Sequence, residues 1–179
     1  MKSVPVPGLN APGRLEFPGN LHGYVFYLVG QIMLQRQQLI EPRLQALGLN
    51  IVSWRPLLVI GLAGECQMTK LARLTGIDRT TLTRAVDRLI ASGLLLRKEH
   101  EKDRRLVLLS LTPKGRGVYE QGLVIHEELN SHMIGDMSVD AQTQLSQALI
   151  DLLDRATPNR DNLTEILDPG GTLLVDPAD

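Results

Sequence analysis

The chain has one cysteine, Cys66, in 179 residues. A lone thiol closes no internal disulfide and supplies no cysteine pair for a zinc ribbon or finger. It fits a reducing compartment, and a cytoplasmic location is expected. No apolar run approaches the roughly 18 residues of a membrane span, so no membrane partner is expected. The start, MKSVPVPGLNAPGRLEFPGN, has prolines and glycines where a secretory signal carries an apolar stretch. Catalytic signatures are missing too. Without a G-x-S-x-G, a P-loop, a G-x-G-x-x-G or an H-E-x-x-H, an enzyme is not expected. His126 and His132 fall about 120° apart on a helix, and His22 and His100 are remote in sequence, so neither a metal nor another cofactor is expected.

Hydrophobic residues make up 43% of the chain and charged residues 22%, the balance of a soluble globular protein with one domain and tails. The net charge of −1 hides an asymmetry. Residues 1–67 carry five Lys/Arg against three Asp/Glu, residues 68–116 twelve against five, and residues 117–179 two against twelve. A net +7 segment inside an acidic protein outlines a polyanion-binding module on a larger body.

The pattern along the chain is mainly helical. Residues 1–20 hold Pro5, Pro7, Pro12 and Pro18 and are expected to form a flexible arm. Asn20 can cap a first helix from Leu21, with Val25, Leu28, Val29, Ile32, Leu39 and Ile40 as its stripe; Pro42 should kink or break it. Ser53 can cap a second helix, with Pro56 in its first turn and residues 57–62 apolar nearly all round, hence deeply buried. A short third helix spans roughly 69–75 and stops at Gly76. Asp78 can cap a fourth, in which Leu82, Ala85, Val86 and Leu89 share one side. Arg79, Thr80, Thr83, Arg84 and Asp87 share the other, with Thr81 and Arg88 at the border. Then the period changes. LLLRK (94–98) and LVLLSL (106–111) flank the charged EHEKDRR and predict a β-hairpin with a long tip. Thr112-Pro113 opens a long helix to about Met133, and Ser138 caps a last one striped by Leu145, Ala148, Leu149, Leu152 and Leu153. Residues 157–179 read as an acidic, loosely ordered tail. A fold-back of that tail over a basic lobe would be autoinhibitory by charge.

A helix, a tight GID turn, a helix and a two-stranded hairpin form a helix-turn-helix with a wing. The major groove of B-DNA admits one helix, which must present polar donors to it. Arg79 and Arg84 can reach guanine edges or phosphates. Thr80, Thr81 and Thr83 can bond phosphate or set a methyl against thymine. In the wing, Asp103 and Arg105 are two apart and can pair, holding a guanidinium extended for a narrow minor groove. Lys102 and Arg104 are expected to touch the DNA backbone.

The stretch MTKLARLTGIDRTTLTRAVDRLIASGLLLRKEHEKDRRLVLLSLTPKGRGVY (68–119) resembles the winged helix-turn-helix core of the multiple antibiotic resistance regulator (MarR) family. The matching signatures are TLTRAVDRLIASGLL, then R...DRR, then LTPKG. LGLNIVSWRPLLVIGLAG (47–64) resembles the segment ahead of that core, including Trp54-Arg55. The resemblance runs from about Leu21 to Ala156. It implies one domain over 21–156, with the winged core at 53–112 and dimerisation helices at 21–47 and 113–156. It also implies a homodimer on a pseudo-palindromic double-stranded operator, usually as a repressor. On that pattern Arg79, Thr80, Thr81 and Arg84 read bases, Arg88 reaches phosphate, and the Asp103–Arg105 pair enters the minor groove. Family members commonly bind small aromatic or phenolic effectors, for which Tyr24, Tyr27, Trp54 and Arg55 are candidates here. Oxidant-sensing relatives carry a cysteine near the start of the first helix; here Cys66 is elsewhere and reads as a packing residue. The competing expectation is a winged-helix module used for protein contacts without direct DNA readout, which would tolerate acidic residues on the face where this chain has arginines.

Overall fold

The computed structural model describes residues 21–100 and 103–157, with side chains over 25–98 and 107–157. The expected arm at 1–20 with its Asn20 cap, Lys102, and the tail from 158 lie outside the described residues, as do the side chains of Tyr24, Asp103, Arg104 and Arg105. The chain divides into two compact units, Met1–Arg36 and Gln37–Asp179. In the first unit, the opening part of helix α1 (Leu21–Ala46) exposes Phe26, Ile32, Met33 and Leu34, with Phe26 at 67%.

The second unit contains the rest of α1, then α2 (Ile51–Ala63), β1 (Glu65–Gln67), α3 (Met68–Thr75), α4 (Arg79–Ala91), β2 (Leu95–His100), β3 (Asp103–Leu111), α5 (Pro113–Ile134) and α6 (Val139–Ala156). The element order follows the hydrophobic periodicity: mainly α, with a small antiparallel sheet. That sheet has three strands in the order β1-β3-β2, one more than the hairpin predicted from sequence. The added strand, β1, pairs Cys66 with Leu109. Three residues are too few to show an alternating pattern, so only the neighbouring edge of β3 reveals it.

Several local expectations are corrected. α1 does not break at Pro42 but runs on to Ala46. A helical proline forfeits about 3 kcal/mol, yet Ile40 and Leu44 flank it fully buried, each worth roughly 1.5–3 kcal/mol. α1 stops instead at Gly48, whose φ of 73° supports a paired terminus: Leu49 N donates to Leu44 O (3.0 Å) and Gly48 N to Gln45 O (2.9 Å). The cap of α2 is Asn50, three residues ahead of the expected Ser53. Asn50 and Ser53 cap each other reciprocally: Ser53 N donates to Asn50 Oδ1 and Asn50 N to Ser53 Oγ, both at 2.9 Å. Pro56 therefore falls in the second turn, not the first. α2 is not buried all round either, since Leu62 is 48% exposed. α3, α4, α5, β1 and β3 pack around α2 and leave that side open.

The core of this unit gathers Leu57 and Ile60 of α2, Leu71 of α3, Leu82, Val86 and Leu89 of α4, and Leu95, Cys66 and Leu109 of the sheet, all buried. At its centre Trp54 is 1% exposed. Its ring stacks on Tyr119 (centroids 6.3 Å apart) and lies 6.4 Å from the His126 ring. Two glycines permit this approach of α2 and α5. A Cβ on Gly122 would run into the Trp54 ring, and a Cβ on Gly61 into the Tyr119 ring. α6 buries none of its residues; Val139, Leu145, Leu149, Ile150 and Leu152 are exposed. Among the described residues, no single helix is long and apolar enough to cross a membrane.

Candidate nucleic-acid interface

α3 and α4 are joined by a turn built on Gly76, which adopts a left-handed conformation (φ 63°) and donates its N–H to Ala72 O at 3.1 Å. A glycine takes this backbone without steric cost. Leu71 and Thr75 anchor α3 in the core, the Thr75 hydroxyl donating to Leu71 O at 2.8 Å. Asp78 then caps α4, accepting from Thr81 N at 2.9 Å. Hydrogen bonds from the Thr81 hydroxyl, first, and from its amide hold the Asp78 carboxyl below its usual range.

Leu82, Ala85, Val86 and Leu89 bury one side of α4, as the spacing predicts. Arg79, Thr80, Thr81, Arg84, Asp87 and Arg88 are exposed and Thr83 is half-buried. The polar groups of this face are not equally available. The Thr83 hydroxyl donates to Arg79 O at 2.8 Å, and the Thr81 hydroxyl is engaged by Asp78. What these two threonines offer a partner is a methyl and an acceptor, more than a donor. Asp87, the one carboxylate on this side of α4, pairs with Arg97 of β2 at 2.6 Å. Among the described residues, the guanidinium groups of Arg79, Arg84 and Arg88 have no carboxylate partner. The face therefore carries three unpaired cations and one neutralised acid.

The Asp87–Arg97 pair also ties the wing to α4, a contact that the sequence did not disclose. A second pair, Lys98 Nζ to Glu65 at 2.7 Å, crosses from β2 to β1. The wing strands are longer than predicted. Pairing includes Glu99↔Val107 and His100↔Asp103, with an irregularity between Glu99 and His100. Backbone hydrogen bonds are indifferent to side-chain charge, so most of the charged tip expected from sequence is strand. Asp103, Arg104 and Arg105 thus open β3 instead of forming the tip.

The four effector candidates have different surroundings. Trp54 is packed in the core, with its indole N–H buried and without a hydrogen-bond partner among the described residues. Its neighbour Arg55 is exposed on α2. Tyr27 is on α1 in the first unit, 36% exposed. The Tyr24 side chain is outside the described set. An open cleft of about 350 Å³ between β1 and α3 is lined by Glu65, Cys66, Gln67, Thr69, Lys70, Arg73 and Leu108, none of them an effector candidate. No group of three His, Cys, Asp or Glu among the described residues is arranged to hold a metal ion.

A helix-turn-helix whose second helix shows bare arginines, braced by an antiparallel wing, defines a winged-helix DNA-binding protein. Comparison with known proteins names the family. The MarR family model matches residues 47–106. The chain is 30% identical over 119 residues to the multiple antibiotic resistance protein MarR of Salmonella typhimurium, a match spanning 64% of this chain and 81% of that protein. A MarR-family transcriptional regulator from Silicibacter pomeroyi superimposes with a TM-score of 0.70 at 25% identity, covering 78% of this chain and 94% of that one. A mutant MarR from E. coli, complexed with operator DNA, shares the fold with a TM-score of 0.64 at 23% identity, covering 75% and 99%. The chain belongs to the MarR family and is a DNA-binding transcriptional regulator, not an enzyme.

Proposed function

We propose that this protein is a homodimeric, effector-responsive repressor that reads a pseudo-palindromic operator with α4 in the major groove and the wing in the flanking minor groove. The observation that carries the reading is the trio of arginines, Arg79, Arg84 and Arg88, unpaired among the described residues, on the exposed side of a helix whose other side is core. Arginines held out in this way cost little to desolvate against phosphate and fit guanine edges. Thr80, Thr81 and Thr83 add methyl contacts to thymine. Lys102 and Arg104 hold the backbone, and Asp103 with Arg105 serves the minor groove. The protein works in the cytoplasm, where its duplex is.

Dimerisation is supported by apolar surface. α6 has no buried residue and α1 exposes Phe26, Ile32, Met33 and Leu34. A second copy of the same helices is the self-complementary cover that two-fold symmetry supplies. The effector is a small aromatic or phenolic molecule. With Trp54 enclosed by Tyr119 and Gly122, Arg55 is the candidate whose exposed guanidinium suits a phenolate.

Two measurements test this. Sedimentation should give twice the chain mass at micromolar concentration; a monomer refutes the dimer. Affinity for generic duplex should fall steeply with salt, in proportion to the phosphates neutralised. No binding at low salt would instead favour a module for protein contacts.

A further inference from the structure

The last turn of any helix leaves carbonyls without intrahelical donors. At the end of α4 the local chain satisfies the first of them. Leu94 N donates to Leu89 O, Gly93 N to Ile90 O and Ser92 N to Arg88 O, each at 2.9 Å, around Gly93 with φ 72°. The carbonyls of Ser92 and Gly93 come next, and their donors come from the N-cap and first turn of α5. Lys114 Nζ donates to Ser92 O at 2.8 Å, and the Thr112 hydroxyl to Gly93 O at 2.7 Å. Thr112 N donates to Leu94 O at 3.0 Å. The same Thr112 hydroxyl accepts from Gly115 N at 2.9 Å and so caps α5. Gly115 fits only without a side chain, because a Cβ there would collide with the Leu94 carbonyl.

We propose that Thr112, Lys114 and Gly115 clamp the C-terminal end of α4 to the N-terminal end of α5, and that Lys114 is a positioning residue for base reading, not a DNA contact. The proposal rests on the reading of α4 as the helix that enters the groove. An ammonium at the terminal carbonyls complements the negative end of the helix dipole. Leverage makes the clamp matter. The 13 residues of α4 span about 20 Å. A tilt of about 10° at the clamped end moves the Arg79 end by roughly 3 Å, a full hydrogen-bond length. Generic attraction to phosphate tolerates that shift; paired contacts to base edges do not.

The test uses full-length protein with Lys114→Met and Lys114→Arg. Two probes serve: the duplex that wild type enriches from a random-sequence pool, and poly(dI-dC). Lys114→Met should lose about fivefold on the enriched duplex. It should bind poly(dI-dC) as wild type does, with an unchanged salt slope, and Lys114→Arg should restore the preference. Equal losses on both probes, with the salt slope reduced by about one, would make Lys114 a phosphate contact and overturn the proposal. Lower thermal stability with an unchanged ratio of the two affinities would also overturn it. Wild type that binds neither probe removes the reading of α4 and the clamp's role together. Amide exchange without DNA gives a separate check. Lys114→Met should speed exchange at residues 92–94 and leave residues 81–84 unchanged; full protection at 92–94 refutes the clamp.

Discussion

Replacing Gly122 by alanine places a methyl where the Trp54 ring already is. On the present backbone even the third-nearest ring atom would be 2.9 Å from that methyl, and two others nearer. Carbon atoms settle at about 3.5–4.0 Å, so ring and helix must part by roughly 1 Å. Trp54 is 1% exposed and has the Tyr119 ring on it, so the strain passes into the spacing of α2 and α5. Overpacking of this kind costs about 1–3 kcal/mol. Against it stands a gain of up to about 1 kcal/mol for alanine over glycine in a helix. Gly117 on the same helix isolates the gain, because a Cβ there has nothing within 4 Å. Gly117→Ala should stabilise slightly and Gly122→Ala should be less stable than it, the two differing by the overpacking cost of about 1–3 kcal/mol because the helix gain is common to both. Urea unfolding reads the difference through the fluorescence of Trp54, the one tryptophan in the chain. Protomer concentrations must match, since association shifts apparent stability. If both variants are equally stable, the close α2–α5 contact is wrong.

Asp78→Ala removes the cap of α4. The Asp78 carboxyl is held below the usual value of 3.8, so its stabilisation is full above that value and drains away as pH falls through the lower folded-state value. The stability gap between wild type and Asp78→Ala should stay constant from neutrality to about pH 5 and close below 3.8; a gap already closed at pH 5 contradicts the capped geometry. Arg84→Ala should relax base preference at one position by about 1–3 kcal/mol, whereas Lys102→Ala should weaken binding evenly across sequences. Sequence-blind losses in both would count against helix readout. Arg105→Ala should cost more operator affinity than Arg104→Ala; the opposite ranking reverses the wing assignment.

Much of the reading element is legible in the sequence. The 3.6-residue period alone assigns Leu82, Ala85, Val86 and Leu89 to the core and Arg79 and Arg84 to the opposite side; it leaves Arg88 at the border, and the fold exposes it. Asp78 as cap and Gly76 as turn followed from local side-chain chemistry. A local signal misleads where a second influence competes with it. At the start of α2, Asn50 and Ser53 are both good caps, and the reciprocal pairing between them decides for Asn50. At Pro42 a local penalty loses to the burial of Ile40 and Leu44.

What the chain determined by itself is whatever depends on near neighbours: helix phase, caps, turns, and the concentration of positive charge in residues 68–116. Those forces act over a few residues and leave a pattern in the order of amino acids. Only the fold decided that β1 joins the sheet, that Asp87 is neutralised by Arg97, that Trp54 sits against Gly122, and that Lys114 holds the end of α4. Each of these joins residues at least 10 positions apart. No local preference encodes such a meeting; it exists once burial of a shared core has brought the elements together.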